Sequence, residues 1–279
     1  MSFETIISCA ELNKNISNPG WVLVDCRFDL AAPEWGFEEY QQLHIPGAVY
    51  ADLDKDLSGR KTPSTGRHPL PKPSDFCESM SRLGIDRSTQ VIVYDATSGS
   101  YAARLWFLLR FYGHTRVALL DGGFVEWHKQ GLAIESGIIQ NKHREFKGTP
   151  DESMILSTAD MEKQYTNPHW LMIDARASER FRGEQETIDP VAGHIPNAVN
   201  RFHGDNMSPD GLFLPAAQLK EEFSKLTNGF SPETTAVYCG SGVTSCHHLV
   251  AMAIAGLPQP KLYAGSWSEW IRDPRHPIA

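Results

Sequence analysis

Cys239 is the residue best placed to do chemistry. It follows Thr235-Ala236-Val237-Tyr238, a short apolar run that reads as a strand. After it come Gly240-Ser241-Gly242-Val243-Thr244 and then an apolar stretch that reads as a helix over 243–255. Two glycines so close together let the backbone curl, so that several N–H groups turn inward. The following helix adds the positive end of its dipole. A thiol at the mouth of such a loop is stabilised as a thiolate, below the free value of about 8.5. It is then nucleophilic near neutral pH. The backbone of Gly240, Gly242, Val243 and Thr244 is expected to form the cradle. Cys9, Cys26 and Cys77 have no comparable neighbours, and Cys246, two helical turns along, is expected to face the core. No C-x-x-C or zinc spacing occurs, so free thiols are expected, with no metal and no cofactor.

The elements around this loop occur twice. Asp25-Cys26-Arg27 recurs as Asp174-Ala175-Arg176, and His44-Ile45-Pro46-Gly47-Ala48-Val49 as His194-Ile195-Pro196-Asn197-Ala198-Val199. Val93-Tyr94-Asp95 recurs as Val237-Tyr238-Cys239, and Gly122-Gly123-Phe124-Val125-Glu126-Trp127 as Gly265-Ser266-Trp267-Ser268-Glu269-Trp270. Four blocks in one order with nearly constant offset mark a duplicated domain. The boundary is expected between 132 and 157, giving domains at 1–140 and 150–279. Apolar runs at 21–25, 91–94 and 117–120 in the first copy, and at 170–174, 236–238 and 261–263 in the second, alternate with helical stretches. This predicts an α/β fold with two tandem domains, each a parallel sheet flanked by helices. Ligands in such sheets sit beyond the carboxyl ends of the strands. The first copy has Asp95 there instead of a thiol, so it is expected to be catalytically inactive.

Composition agrees with a folded, globular chain. The chain has 279 residues, 41% of them hydrophobic and 22% charged, enough for two ordinary domains. A net charge of −8 gives no basic footprint for nucleic acid. The most apolar stretch, 249–257, is about half the length of a membrane span. The N-terminus has no basic region followed by an apolar core, and a cytoplasmic protein with no membrane partner is expected.

These motifs together resemble the rhodanese superfamily, and more closely its tandem two-domain sulfurtransferases. The carriers are both Asp-x-Arg segments, both His-Ile-Pro segments, both G-[GS]-x-x-E-W segments and Cys239-Gly-Ser-Gly-Val-Thr. The resemblance implies two rhodanese domains and ping-pong sulfur transfer through a persulfide on Cys239. A loop without Lys or Arg implies 3-mercaptopyruvate as donor, with Ser241 polarising it. Arg180, in an Arg-Phe-x-Gly segment, is implied to bind the donor's acidic group. His44 is the candidate for assisting the loop serine, and His194 is read as structural. The acceptor is expected to be thioredoxin, a small thiol or cyanide. One feature departs from the pattern. Residues 183–193, GEQETIDPVAG, lack the second arginine of mercaptopyruvate enzymes. Thiosulfate sulfurtransferase, or a slow persulfide relay, is therefore the alternative. A dual-specificity phosphatase needs Cys-x5-Arg, and Ser245 stands at that arginine position.

Overall fold

Apolar runs covered on both faces form parallel strands. In the computed structural model, which describes residues 2–279, these runs build two five-stranded sheets. The first contains β1 (Ile6–Ile7), β2 (Trp21–Asp25), β3 (Val49–Tyr50), β4 (Gln90–Tyr94) and β5 (Val117–Leu120). The second contains β6 (Ile155–Leu156), β7 (Leu171–Asp174), β8 (Val199–Asn200), β9 (Thr235–Tyr238) and β10 (Lys261–Tyr263). Their orders are β1-β5-β4-β2-β3 and β6-β10-β9-β7-β8, so the second repeats the first. Every pairing is parallel. The expected α/β architecture is present in both sheets.

The central strands fall within one residue of the runs read from sequence. The outer strands β1, β3, β6 and β8 have two residues each and are too short to show a period. The helix after Cys239 spans Cys246–Ile254, three residues later than expected, because the backbone before it belongs to the loop. Serines cap corresponding helices. Ser8 accepts from Glu11 N at the start of Cys9–Asn15, and Ser157 forms a capping box with Asp160 at the start of Thr158–Gln164.

The chain divides into two compact units. The first takes residues up to Gly59, with Pro71–Pro150 and Pro209–Phe213; the second takes Arg60–Leu70, Asp151–Ser208 and Leu214–Ala279. The first core gathers Leu12, Leu23, Ile92 and Trp127. The second gathers Met161, Met172, Tyr238, Trp267 and Trp270. Arg60–Leu70 forms neither helix nor strand. It is fastened within the second unit by Gly66 N donating to Glu269 Oε2 at 3.0 Å and Arg67 N donating to Ser268 Oγ at 2.9 Å. Among the described residues no helix is long and apolar enough to cross a membrane.

The repeated Asp-x-Arg motif braces each sheet. Arg27 pairs with Asp25 at 2.6 Å and donates to Leu43 O; Arg176 pairs with Asp174 at 2.7 Å and donates to Gly193 O. All four charged groups are buried. A buried charge is tolerated when it is paired and hydrogen-bonded; among the described residues Arg176 Nη1 makes no hydrogen bond and lies 3.6 Å from Glu186 Oε2. Each arginine ties the end of a central strand to the segment leading into His44 or His194.

Candidate active site

Cys239 follows β9 at its carboxyl end and is 2% exposed. Its backbone is held from the other side of the loop: Cys239 N donates to Ser266 Oγ at 3.1 Å, and Trp267 N donates to Cys239 O at 3.0 Å. Gly242 turns the chain with φ +74, and a Cβ there would lie 2.3 Å from Ala264 O. Only glycine fits that approach.

Burial pushes the Cys239 thiol up, but hydrogen bonds outweigh it and hold the group below its ordinary value. The polar groups that lower it are the Thr244 hydroxyl first, with the Ser241 and Ser245 N–H groups of the loop; the Ser245 hydroxyl is buried beside them with no hydrogen-bond partner of its own among the described residues. The contrast with other thiols is direct. Burial drives Cys9 up to about 11 and Cys26 well above the usual range. Cys246 is buried, with its Sγ 3.4 Å from Gly242 O.

The corresponding loop of the first unit shows what this backbone binds. The Asp95 carboxylate accepts from four backbone N–H groups, those of Thr97, Gly99, Tyr101 and Ala102, at 2.8, 2.9, 2.8 and 2.9 Å. That loop is an anion cradle filled by its own side chain.

Ser241, 5% exposed, lies 2.8 Å through its Oγ from Nδ1 of His68. Sequence reasoning offered His44 for this contact. His44 instead belongs to the first unit, where its Nδ1 meets Tyr40 O at 2.8 Å and its ring stacks on Tyr40. His194 repeats that arrangement, with Nδ1 meeting Phe181 O at 2.7 Å and its ring stacked on Phe181. Both His-Ile-Pro histidines therefore bond a carbonyl of the preceding segment. His68 carries no motif or period that would single it out. Its one local signal is the proline-rich run around Gly66-Arg67-His68, an irregular segment with a buried imidazole.

Arg180 also lies at this loop. Its Nε sits 3.1 Å from both Glu186 oxygens, and its Nη2 donates to Asp189 Oδ2 at 2.9 Å. Arg67, which sequence reasoning did not single out, donates from Nη1 to Asp189 Oδ1 at 2.5 Å. A Cβ placed on Gly240 would lie 3.0 Å from Arg67 Nη2 and 3.6 Å from Arg180 Nη1 and Nη2. Two guanidinium groups thus stand over the residue next to Cys239. Glu186 is held below its ordinary value: burial raises it, but the Asp189 and Ile188 N–H groups and Arg180 outweigh that. Arg182 is half-exposed and pairs with Glu184.

The chain matches the rhodanese-like domain over residues 8–130 and again over 157–273. It is 46% identical to the probable 3-mercaptopyruvate sulfurtransferase of Pseudomonas aeruginosa, covering 100% of this chain and 99% of that protein. It is 37% identical to human 3-mercaptopyruvate sulfurtransferase over 83% of this chain and 78% of that one. The crystal structure of SseA, a 3-mercaptopyruvate sulfotransferase of Escherichia coli, superposes with a TM-score of 0.82 at 31% identity, covering 96% of this chain and all of that one.

Proposed function

The chain belongs to the rhodanese family and is a sulfurtransferase; from that premise we propose that it moves a sulfane sulfur from 3-mercaptopyruvate to a thiol or cyanide through a persulfide on Cys239. The observation that carries this reading is a thiol favoured as thiolate in the same loop as a hydroxyl bonded to an imidazole.

The Cys239 thiolate attacks the donor sulfur. The C–S bond breaks, and its electron pair goes to C3 to give the enolate of pyruvate. C3 takes up one proton, balanced by the proton the donor thiol gives up, and a persulfide anion is left on Cys239. With the His68 proton on Nδ1, Ser241 accepts from it and points its own proton at the donor carbonyl. That is where enolate charge develops, and a donor aimed there lowers the barrier. Arg180, whose Nε and Nη2 are held by Glu186 and Asp189, takes the donor carboxylate through Nη1, which faces Gly240. The loop N–H groups hold the persulfide charge, as the first unit's loop holds the Asp95 carboxylate. In the second half-reaction an acceptor thiolate or cyanide attacks the outer sulfur, and Cys239 leaves as thiolate.

Thioredoxin or a small thiol fits the acceptor role, because a sulfane sulfur whose leaving group is the Cys239 thiolate is open to a soft nucleophile. The five cysteines are free, which agrees with a reducing, cytoplasmic setting. The first unit, with Asp95 where the thiol would stand, is assigned a structural rather than catalytic part.

The test compares sulfur transfer from 3-mercaptopyruvate and from thiosulfate, with cyanide as common acceptor and Cys239→Ser as blank. Faster transfer from 3-mercaptopyruvate supports the donor assignment. Equal or faster transfer from thiosulfate overturns it, and turnover by Cys239→Ser overturns the nucleophile.

A further inference from the structure

Two guanidinium groups beside a nucleophilic loop invite any small anion, and a dianion more than a monoanion. The residue between them changes that balance. Asp189 is 8% exposed, and its two oxygens are divided between the two arginines: Oδ1 to Arg67 Nη1 at 2.5 Å, Oδ2 to Arg180 Nη2 at 2.9 Å. Its position is braced by its own backbone N–H, which donates to Glu186 Oε1 at 2.9 Å. Glu186 pairs with Arg180 as well. Arg176 also faces Glu186, at 3.6 Å, but is itself paired with Asp174, so Asp189 and Glu186 balance the two guanidinium groups that stand at Gly240 and the pair of arginines carries no net charge to offer.

Direction is nevertheless preserved. Arg67 Nε is buried and meets no hydrogen-bond acceptor, and Nη2 on the same edge reaches toward Gly240. An unpaired buried donor is costly. Parallel Nε and Nη2 donors match the two oxygens of one carboxylate. The arrangement thus offers hydrogen-bond geometry without a surplus of charge.

We propose that Asp189 sets the donor's charge class: by bridging Arg67 and Arg180 it admits a monoanionic 2-oxo carboxylate between Arg180 Nη1 and the unpaired Nε–Nη2 edge of Arg67, and discriminates against a dianion such as thiosulfate. This rests on the donor reading above. Removing one negative charge a few ångströms from the bound donor favours each unit of donor charge by about tenfold at low salt. Asp189→Asn should then raise kcat/KM for 3-mercaptopyruvate by about tenfold and for thiosulfate by about a hundredfold, so the thiosulfate-to-mercaptopyruvate ratio rises about tenfold. Asp189→Glu, which keeps the charge, should leave that ratio within about threefold of the parent.

The experiment measures both donors with the parent, Asp189→Asn and Asp189→Glu at low and high salt. Local damage lowers both rates together, so a rise in the ratio that salt suppresses is not produced by damage. A ratio unchanged in a folded Asp189→Asn variant overturns the proposal and leaves the donor reading standing. A parent enzyme that prefers thiosulfate overturns both. Should Asp189→Asn fail to fold, the parent decides alone through competitive inhibition. Sulfate should inhibit no better than pyruvate, and sulfate binding tenfold tighter overturns the proposal.

Discussion

His68 Nδ1 and Ser241 Oγ lie 2.8 Å apart although 173 residues of chain separate them. The imidazole comes from Arg60–Leu70, which precedes the second repeat in sequence yet packs within the unit that carries Cys239. The hydroxyl comes from the loop after β9. Their bond fixes the Ser241 hydroxyl two residues from the nucleophile, and with the imidazole proton on Nδ1 the hydroxyl keeps its own proton to donate.

That bond separates the two donors chemically. Cleaving 3-mercaptopyruvate develops an enolate, whereas thiosulfate releases sulfite and needs no oxyanion donor. Ser241→Ala should lower kcat for 3-mercaptopyruvate by about a hundredfold, and His68→Asn should act in the same direction. Thiosulfate turnover should change by less than about fivefold. Equal losses with both donors would rule out the enolate role.

The thiolate of Cys239 is readable by alkylation. Its rate with iodoacetamide should reach half-maximum below the free-thiol pH of about 8.5, and sulfur transfer should rise with pH through the same point and then level off. Thr244→Val removes a hydroxyl that lowers this thiol, so its curve should move to higher pH. Cys9 and Cys26, buried and raised, should stay unmodified in the native protein. A Cys239 midpoint at or above the free value would contradict the cradle.

Asp95 closes the corresponding loop of the first unit. Asp95→Ala leaves four loop N–H groups without their acceptor. The cost should be about 3 kcal/mol or more of unfolding free energy. Urea unfolding checks this, and a loss under about 1 kcal/mol would show that water replaces the carboxylate.

His248 should make stability fall in mild acid. Burial, with Arg201 and His247 adding to it, holds this ring well below its usual range. Its Nε2 meets Arg201 O at 2.9 Å and its Nδ1 meets Asn206 Nδ2 at 2.9 Å, which suits the neutral ring. The unfolded chain takes up the proton near pH 6.5 and the folded one does not. Stability is therefore retained above that pH and lost as pH falls below it, by about 1.4 kcal/mol between pH 7.5 and 5.5. His114, also lowered by burial, acts in the same direction in the first unit. Urea midpoints across that window test the effect, and a flat profile would exclude it.

What sequence by itself determined was local or periodic. The duplicated motifs, the central strands and the strand–loop–helix around Cys239 are all encoded within a few neighbouring residues. A glycine-rich turn after an apolar strand has few other physical uses, so the thiol was legible. The two-residue outer strands were not, because pairing with a neighbouring strand defines them and no period does. The late start of the helix at Cys246 has a similar cause: the preceding backbone turns toward the sulfur instead of continuing the helix.

The surroundings of the thiol were decided by tertiary structure alone. His44 sits in a recognisable motif, yet its ring bonds Tyr40 O; His68 sits in none and meets Ser241. Arg67 reaches Asp189 across 122 residues, and no spacing announces the pair. Charge partners and hydrogen-bond partners are chosen by where an irregular segment packs, and that depends on contacts such as Gly66 against Glu269 and Arg67 against Ser268, which no local pattern encodes.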